Sequence, residues 1–154
     1  MLALTEYNYG GGQDISGGIA QADVLGILGR YGVYAATLWE LSADESFVYG
    51  AFAMYRNYDG QGSAFGNIGV SATTNDVPRT SVYASMDFLN GRRMVVVALN
   101  KTASALTAGL AVTHTMRFAR SEVYRLTAGS ATPVRDARSN ALPRWNLPSA
   151  ATAV

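Results

Sequence analysis

The chain has 154 residues, 49% hydrophobic and 15% charged, with twelve basic and eleven acidic side chains giving a net charge of +1. That is enough apolar content for a folded core, and neither a disordered segment nor a nucleic-acid surface fits so balanced and dispersed a charge. Zero cysteines exclude disulfides, thiolate metal sites and cysteine nucleophiles, and a single histidine, His114, leaves little for zinc or Ser-His chemistry, so any catalysis falls to carboxylates.

The first predicted strand covers Leu2 to Glu6 and runs directly into Gly10-Gly11-Gly12. Three consecutive glycines release the backbone just past the strand, which lets a ligand approach a carboxylate mounted at its end. Glu6 therefore stands at the mouth of a sheet, as a catalytic group or as a strand-end salt bridge or cap. The glycine run is not a phosphate loop, since neither Lys-Ser/Thr nor G-x-G-x-x-G spacing accompanies it.

Asp14 and Ser16 are candidate helix caps, and from about Ile19 to Tyr31 the residues Ala20, Val24, Ile27, Leu28 and Tyr31 recur at helical spacing until Gly32. Val33 to Trp39 is a continuous run of small and apolar residues, the pattern of a parallel strand buried on both faces. Strand, helix and strand in about forty residues predict a βαβ unit. Its second strand delivers Trp39-Glu40 to the same carboxyl edge as Glu6, the edge where α/β folds bind ligands. A second helix over Phe47 to Tyr58, with Val48, Ala51, Phe52 and Tyr55 on its apolar side, is expected to cover that sheet.

From Gly62 onward short period-two runs replace helical spacing. Strands are predicted at Ile68 to Thr73, Ser81 to Phe88, Arg93 to Asn100, Ala108 to His114, Glu122 to Thr127, Thr132 to Arg138 and Pro143 to Leu147, with an edge strand after Pro148. Asn90-Gly91 marks a hairpin turn. The spacing indicates an antiparallel sandwich. Asp14, Asp44, Glu45 and Asp59 are too scattered for a calcium site, so no metal or cofactor is expected. No apolar run reaches the roughly 18 residues of a membrane span, and the amino terminus carries no export signal, which would have to lie on a longer precursor.

The string Thr-Glu-Tyr-Asn-Tyr-Gly-Gly-Gly beginning at Thr5, with Asp14 to Asp23, Gly32 to Trp39, Tyr49 to Gly60 and Ser81 to Ser85, resembles glycoside hydrolase family 44 over nearly the whole chain. These are secreted bacterial endo-β-1,4-glucanases, several of which also cleave xyloglucan. The resemblance implies an α/β plus all-β architecture: the last two βα units of a (β/α)8 barrel in residues 1–61, followed by a β-sandwich in 62–154. A full barrel takes about 250 residues, so six strands would lie outside this sequence.

By the same resemblance Glu6 is the nucleophile of a retaining glycosidase, whose two carboxyl groups stand about 5 to 5.5 Å apart. The general acid belongs to an earlier strand that no residue here can replace. Trp39 becomes the floor of a sugar subsite, Glu40 a substrate hydrogen-bonding group rather than the acid, and Asn8 and Tyr9 substrate contacts, because Tyr7 points away from Glu6 if the strand continues. The expected partners are a β-1,4-glucan and the missing barrel segment, in cis or as a second chain, without which the polypeptide is expected to be inactive. An alternative is a non-catalytic glucan-binding or structural sandwich, with Trp145 as its candidate sugar platform.

Overall fold

A computed structural model describes residues 1–39, 42–89, 91–115, 117–139, 145–147 and 152–153. Strand β1 (Ala3–Tyr7), helix α1 (Ile15–Arg30) and strand β2 (Ala35–Leu38) form the expected βαβ unit, with β1 and β2 parallel. Helix α2 (Ser46–Arg56) follows, and then β3 (Ile68–Val70), β4 (Thr80–Met86), β5 (Met94–Asn100), β6 (Leu106–Ala108), β7 (Ser121–Thr127), β8 (Ser130–Ser139), β9 (Trp145–Leu147) and β10 (Thr152–Ala153). The larger sheet has the order β3-β4-β5-β10-β7-β8, with every adjacent pair antiparallel, and β6 pairs with β9 in a separate antiparallel ribbon.

Alternation along β5 divides the layers. Val95, Val97 and Leu99 point to one face and are buried; Val97 and Leu99 join Tyr83, Leu126, Ile15, Ile19, Ala22, Ala51, Met54 and Tyr55 in one hydrophobic cluster. Ala98 faces the other way and packs with Val123, Leu106 and Ala108, so the β6/β9 ribbon covers part of the opposite face. The molecule is thus a helical layer, an antiparallel sheet and a small ribbon, with the parallel β1/β2 pair at one side.

Helix α1 starts four residues earlier than the periodicity indicated. Asp14 occupies the N-cap with extended backbone, and its carboxylate accepts from Ser16 N at 2.8 Å. The hydrogen bond to Ser16 also holds the Asp14 pKa below the usual carboxylate range. The buried face differs too: Gly18, Ile19, Ala22 and Gly26 face inward, whereas Ile27 and Tyr31 of the predicted stripe are exposed. Close approach is the reason. A Cβ on Gly26 would lie 2.3 Å from the Tyr83 ring, and one on Gly18 would lie 3.0 Å from Phe47 O. The contact surface therefore requires glycine at these two points of close approach.

Helix α2 buries Val48, Ala51, Met54 and Tyr55 against α1, β7 and β8, so it covers the antiparallel sheet rather than serving the β1/β2 pair as expected. Tyr55 donates to Ala22 O at 3.0 Å, closing the helix pair. Across the layer, Tyr83 donates to Asp23 at 2.5 Å and Arg30 stacks 4.7 Å over the same ring.

Strand β6 is shorter than expected and displaced toward the amino terminus, because only Leu106 to Ala108 find partners, on Leu147 to Trp145. His114 consequently lies outside a strand, its ring 5.4 Å from that of Phe118. Thr152–Ala153 is interior rather than an edge, bonded to both β5 and β7. Asn90 of the hairpin signal lies outside the described residues, though the strands it was to join, β4 and β5, pair over seven positions from Thr80↔Asn100 to Met86↔Met94.

Candidate active site

The carboxyl ends of β1 and β2 meet with an irregular register. Leu4 pairs with Ala36 and Tyr7 with Leu38, so Thr5 and Glu6 together stand against Thr37. Such an extra residue re-aims side chains locally. Beyond this irregularity Tyr7 is level with Leu38, the last residue of β2 before Trp39. Trp39 N donates to Tyr7 O at 2.9 Å, which anchors the tryptophan one residue beyond the carboxylate.

Glu6 is exposed and makes no hydrogen bond or ion pair among the described residues. Trp39 is also exposed, at 56%, although large aromatic rings usually bury most of their area. Glu40 lies outside the described residues.

Tyr7 and Tyr9 stack at 6.2 Å and share one partner, Gln21 of α1. Gln21 Nε2 donates to the Tyr7 hydroxyl at 2.9 Å, and the Tyr9 hydroxyl donates to Gln21 Oε1. Gln21 is fully buried. Desolvation by burial, then the neighbouring Tyr7 and Glu45, raise the Tyr9 pKa well above the ordinary phenol value, so its hydroxyl stays protonated and available as a donor. The Tyr9 hydroxyl is thereby turned inward and only its ring faces solvent. Asn8 is similarly engaged, its Oδ1 accepting from Gly10 N at 2.7 Å in an Asx turn.

The glycine loop is held between two helix starts. Gly10 and Gly11 adopt φ of 72° and 75°, which side-chain-bearing residues rarely tolerate. Gly11 O accepts from Asp14 N at 3.1 Å, Gly12 O accepts from Phe47 N at 2.8 Å, and a Cβ on Gly17 would lie 2.1 Å from Gly11 O. The loop after Glu6 is therefore a packed turn whose backbone is fixed by α1 and by the start of α2.

Gln21 was not among the residues singled out from sequence. Its signal was available: a long polar side chain three and four positions after Gly18 and Gly17, and so on the face that those glycines bring close to other backbone, requires a buried partner. Gln21→Leu is expected to destabilise the chain by about 1–3 kcal/mol, because it leaves two tyrosine hydroxyls facing an apolar group. Thermal melting checks the loss. Restoration of most of it by the triple change with Tyr7→Phe and Tyr9→Phe would show that unsatisfied hydroxyls, not lost packing, are the cause.

Among the described residues no group of three or more histidines or carboxylates gathers into a metal site, and no helix is long and apolar enough to cross a membrane. Two clefts, of about 860 and 990 Å³, lie between the antiparallel sheet and the segment around 106–121, and neither is lined by Glu6 or Trp39.

Solved glycoside hydrolases share this architecture. A family 30 subfamily 8 xylanase from Clostridium acetobutylicum superposes with a TM-score of 0.65 at 17% identity, a likeness of fold alone. Much nearer are a Paenibacillus polymyxa family 44 xyloglucanase solved with xyloglucan, at TM-score 0.94 and 35% identity, and a family 44 endoglucanase from Clostridium thermocellum, at 0.93 and 33%. Both matches cover 99% of this chain and 31% of the solved one. In sequence the chain is 49% identical over 100 residues to endoglucanase A of Paenibacillus lautus, which is 65% of this chain and 14% of that protein. It is 41% identical over 130 residues to a beta-mannanase/endoglucanase A of Caldicellulosiruptor saccharolyticus, 84% of this chain and 10% of that protein. No family model matches the chain. The chain belongs to glycoside hydrolase family 44 and corresponds to a carboxyl-terminal part of its enzymes. It spans under a third of the solved relatives' length.

Proposed function

We propose that this chain supplies the nucleophile half of a retaining endo-β-1,4-glucanase acting on cellulose or xyloglucan. The observation that carries the reading is the exposed Glu6 at the register slip of a parallel strand pair whose second strand leads directly into the exposed Trp39. In this scheme a Glu6 carboxylate oxygen attacks the anomeric carbon as the glycosidic C–O bond breaks, and a carboxylic acid outside these residues protonates the leaving oxygen. Water then cleaves the glycosyl ester, with that second group acting as base, and returns Glu6 as carboxylate.

Trp39 serves as a stacking floor, since the axial C–H bonds of a pyranose pack against an aromatic face while its hydroxyls bond outward. The Tyr9 ring, the Asn8 amide and Glu40 complete the contacts offered by this chain. Residues 1–61 then act as the last two βα units of the barrel and 62–154 as its sandwich. Support for a covering segment comes from Leu2, Tyr31 and Tyr34, apolar or aromatic side chains that are 63%, 77% and 72% exposed beside β1 and β2. The polypeptide alone is inactive in this reading.

The test is hydrolysis of xyloglucan by the 154-residue chain alone and joined to the remaining barrel of a family 44 relative. Activity should appear only in the joined form. Turnover by the isolated chain that disappears on Glu6→Gln would overturn the requirement for a second segment. In the joined enzyme Trp39→Ala is expected to raise KM about tenfold or more with a smaller change in kcat, a loss of roughly 1–3 kcal/mol in sugar stacking. Unchanged initial-rate kinetics would remove Trp39 from the subsite.

A further inference from the structure

The cleft of about 860 Å³ between the antiparallel sheet and the segment around 110–121 is within the size range of ligand sites. Its lining is unusual for a chain of net charge +1: four arginines, Arg92, Arg93, Arg117 and Arg120, face two carboxylates, Asp59 and Glu122. Three aromatic rings accompany them. Tyr58 and Tyr124 pack against one another at 5.0 Å with a 53° tilt, and Phe118, half-buried, lines the cleft on the segment that carries Arg117 and Arg120, its ring 5.4 Å from that of His114.

These groups differ in how they are held. Arg93 is bound to Asp87 by two hydrogen bonds of 2.6 and 3.0 Å and reaches Ala64 O at 3.4 Å, so it is a fixed wall. Tyr124 donates to Glu122 at 3.1 Å, which orients its ring and engages that carboxylate. Arg117 and Arg120 are exposed and have no ion pair among the described residues. Two guanidiniums three residues apart, flanking a phenyl ring, offer forked donors for a carboxylate beside a flat apolar surface.

We infer that this cleft is a second polysaccharide site, specific for a chain bearing carboxylate groups such as uronic acids, with Arg117 and Arg120 binding the carboxylate and Phe118 and Tyr58 receiving the sugar ring. The inference rests on the polysaccharide reading above for its choice of a saccharide over another anion. Such a site would hold acidic polysaccharide without taking part in bond cleavage, since neither Glu6 nor Trp39 lines it.

Affinity electrophoresis of the full 154-residue chain tests it, with glucuronoxylan as the acidic probe, hydroxyethyl cellulose as the neutral one and polyphosphate as a competitor that lacks sugar. Expected is retardation by glucuronoxylan that weakens with added salt and falls at least tenfold in apparent affinity in the Arg117→Gln/Arg120→Gln double variant. Both changes are at exposed positions, and an unchanged melting temperature would show the fold intact. Phe118→Ala should weaken glucuronoxylan retardation without altering competition by polyphosphate. Equal retardation by the neutral gel, displacement by polyphosphate as effective as by free acidic oligosaccharide, or a double variant within twofold of the parent would each overturn the site. Glu6→Gln leaves the retardation unchanged, so loss of this proposal and loss of the catalytic one are separately visible.

Discussion

Replacing Glu6 with glutamine in the proposed joined enzyme is expected to lower kcat by about three orders of magnitude or more while KM stays within a few-fold. An amide keeps the size and much of the hydrogen bonding of the carboxylate but cannot form the glycosyl ester, so ground-state binding survives and the chemical step does not. The sharper measurement uses Glu6→Ala with an aryl β-glucoside of good leaving ability and added azide. Azide should enter the space left by the carboxylate and attack the anomeric carbon from that face, giving an α-glycosyl azide and a rate that climbs with azide concentration. A purely structural role for Glu6 predicts no azide adduct. A β-configured adduct would place the attacking group on the other carboxylate.

The second large effect concerns stability. Leu126→Ala is expected to cost about 2–5 kcal/mol, since Leu126 is fully buried and the cavity would be walled by residues from both helices and the sheet. For a chain of this size that corresponds to a melting temperature lower by roughly 5–20 °C. The helical and sheet signals should fall together. Separate transitions in far-ultraviolet and near-ultraviolet circular dichroism would show that Ile19, Met54 and Leu126 do not share one cooperative core.

Much of this was legible from residue order alone. The β1–α1–β2 unit, the Asp14 cap and the paired strands β4 and β5 follow from local periodicity, capping and turn chemistry, which act over a few residues. The buried face of α1 did not follow. Ile27 and Tyr31 have the spacing of a core stripe, but the sheet and α2 come so close at Gly18 and Gly26 that the buried face runs through these glycines, Ile15, Ile19 and Ala22, and hydrophobicity scales do not register that requirement. Strand pairing was similarly hidden at the end of the chain, where Thr152 and Ala153 take a central place because the gap between β5 and β7 accepts them.

At the candidate site, the residue types were readable and their arrangement was not. The glycine run marked the loop and the carboxylate before it. The register slip that sets Thr5 and Glu6 against Thr37 depends on β2, thirty residues away, and no local pattern announces it. Gln21 escaped notice because its two tyrosine partners are twelve and fourteen residues distant and on another element.

The tie from Gln21 to Tyr7 and Tyr9 has an implication for how such enzymes can be recombined. Through α1 the loop after Glu6 takes its position from the antiparallel sheet, and through Gly12 and Phe47 it takes it also from α2. A chimaera that exchanged only residues 62–154 for a foreign sandwich would set Ile19, Met54 and Gly26 against a surface not shaped for them, and the misfit would be passed on to the tyrosine pair. The transplantable cassette is therefore the helices together with the sheet. Graft junctions that respect it fall before β1, where Met1 and Leu2 are exposed and can accept a new neighbour without disturbing the core.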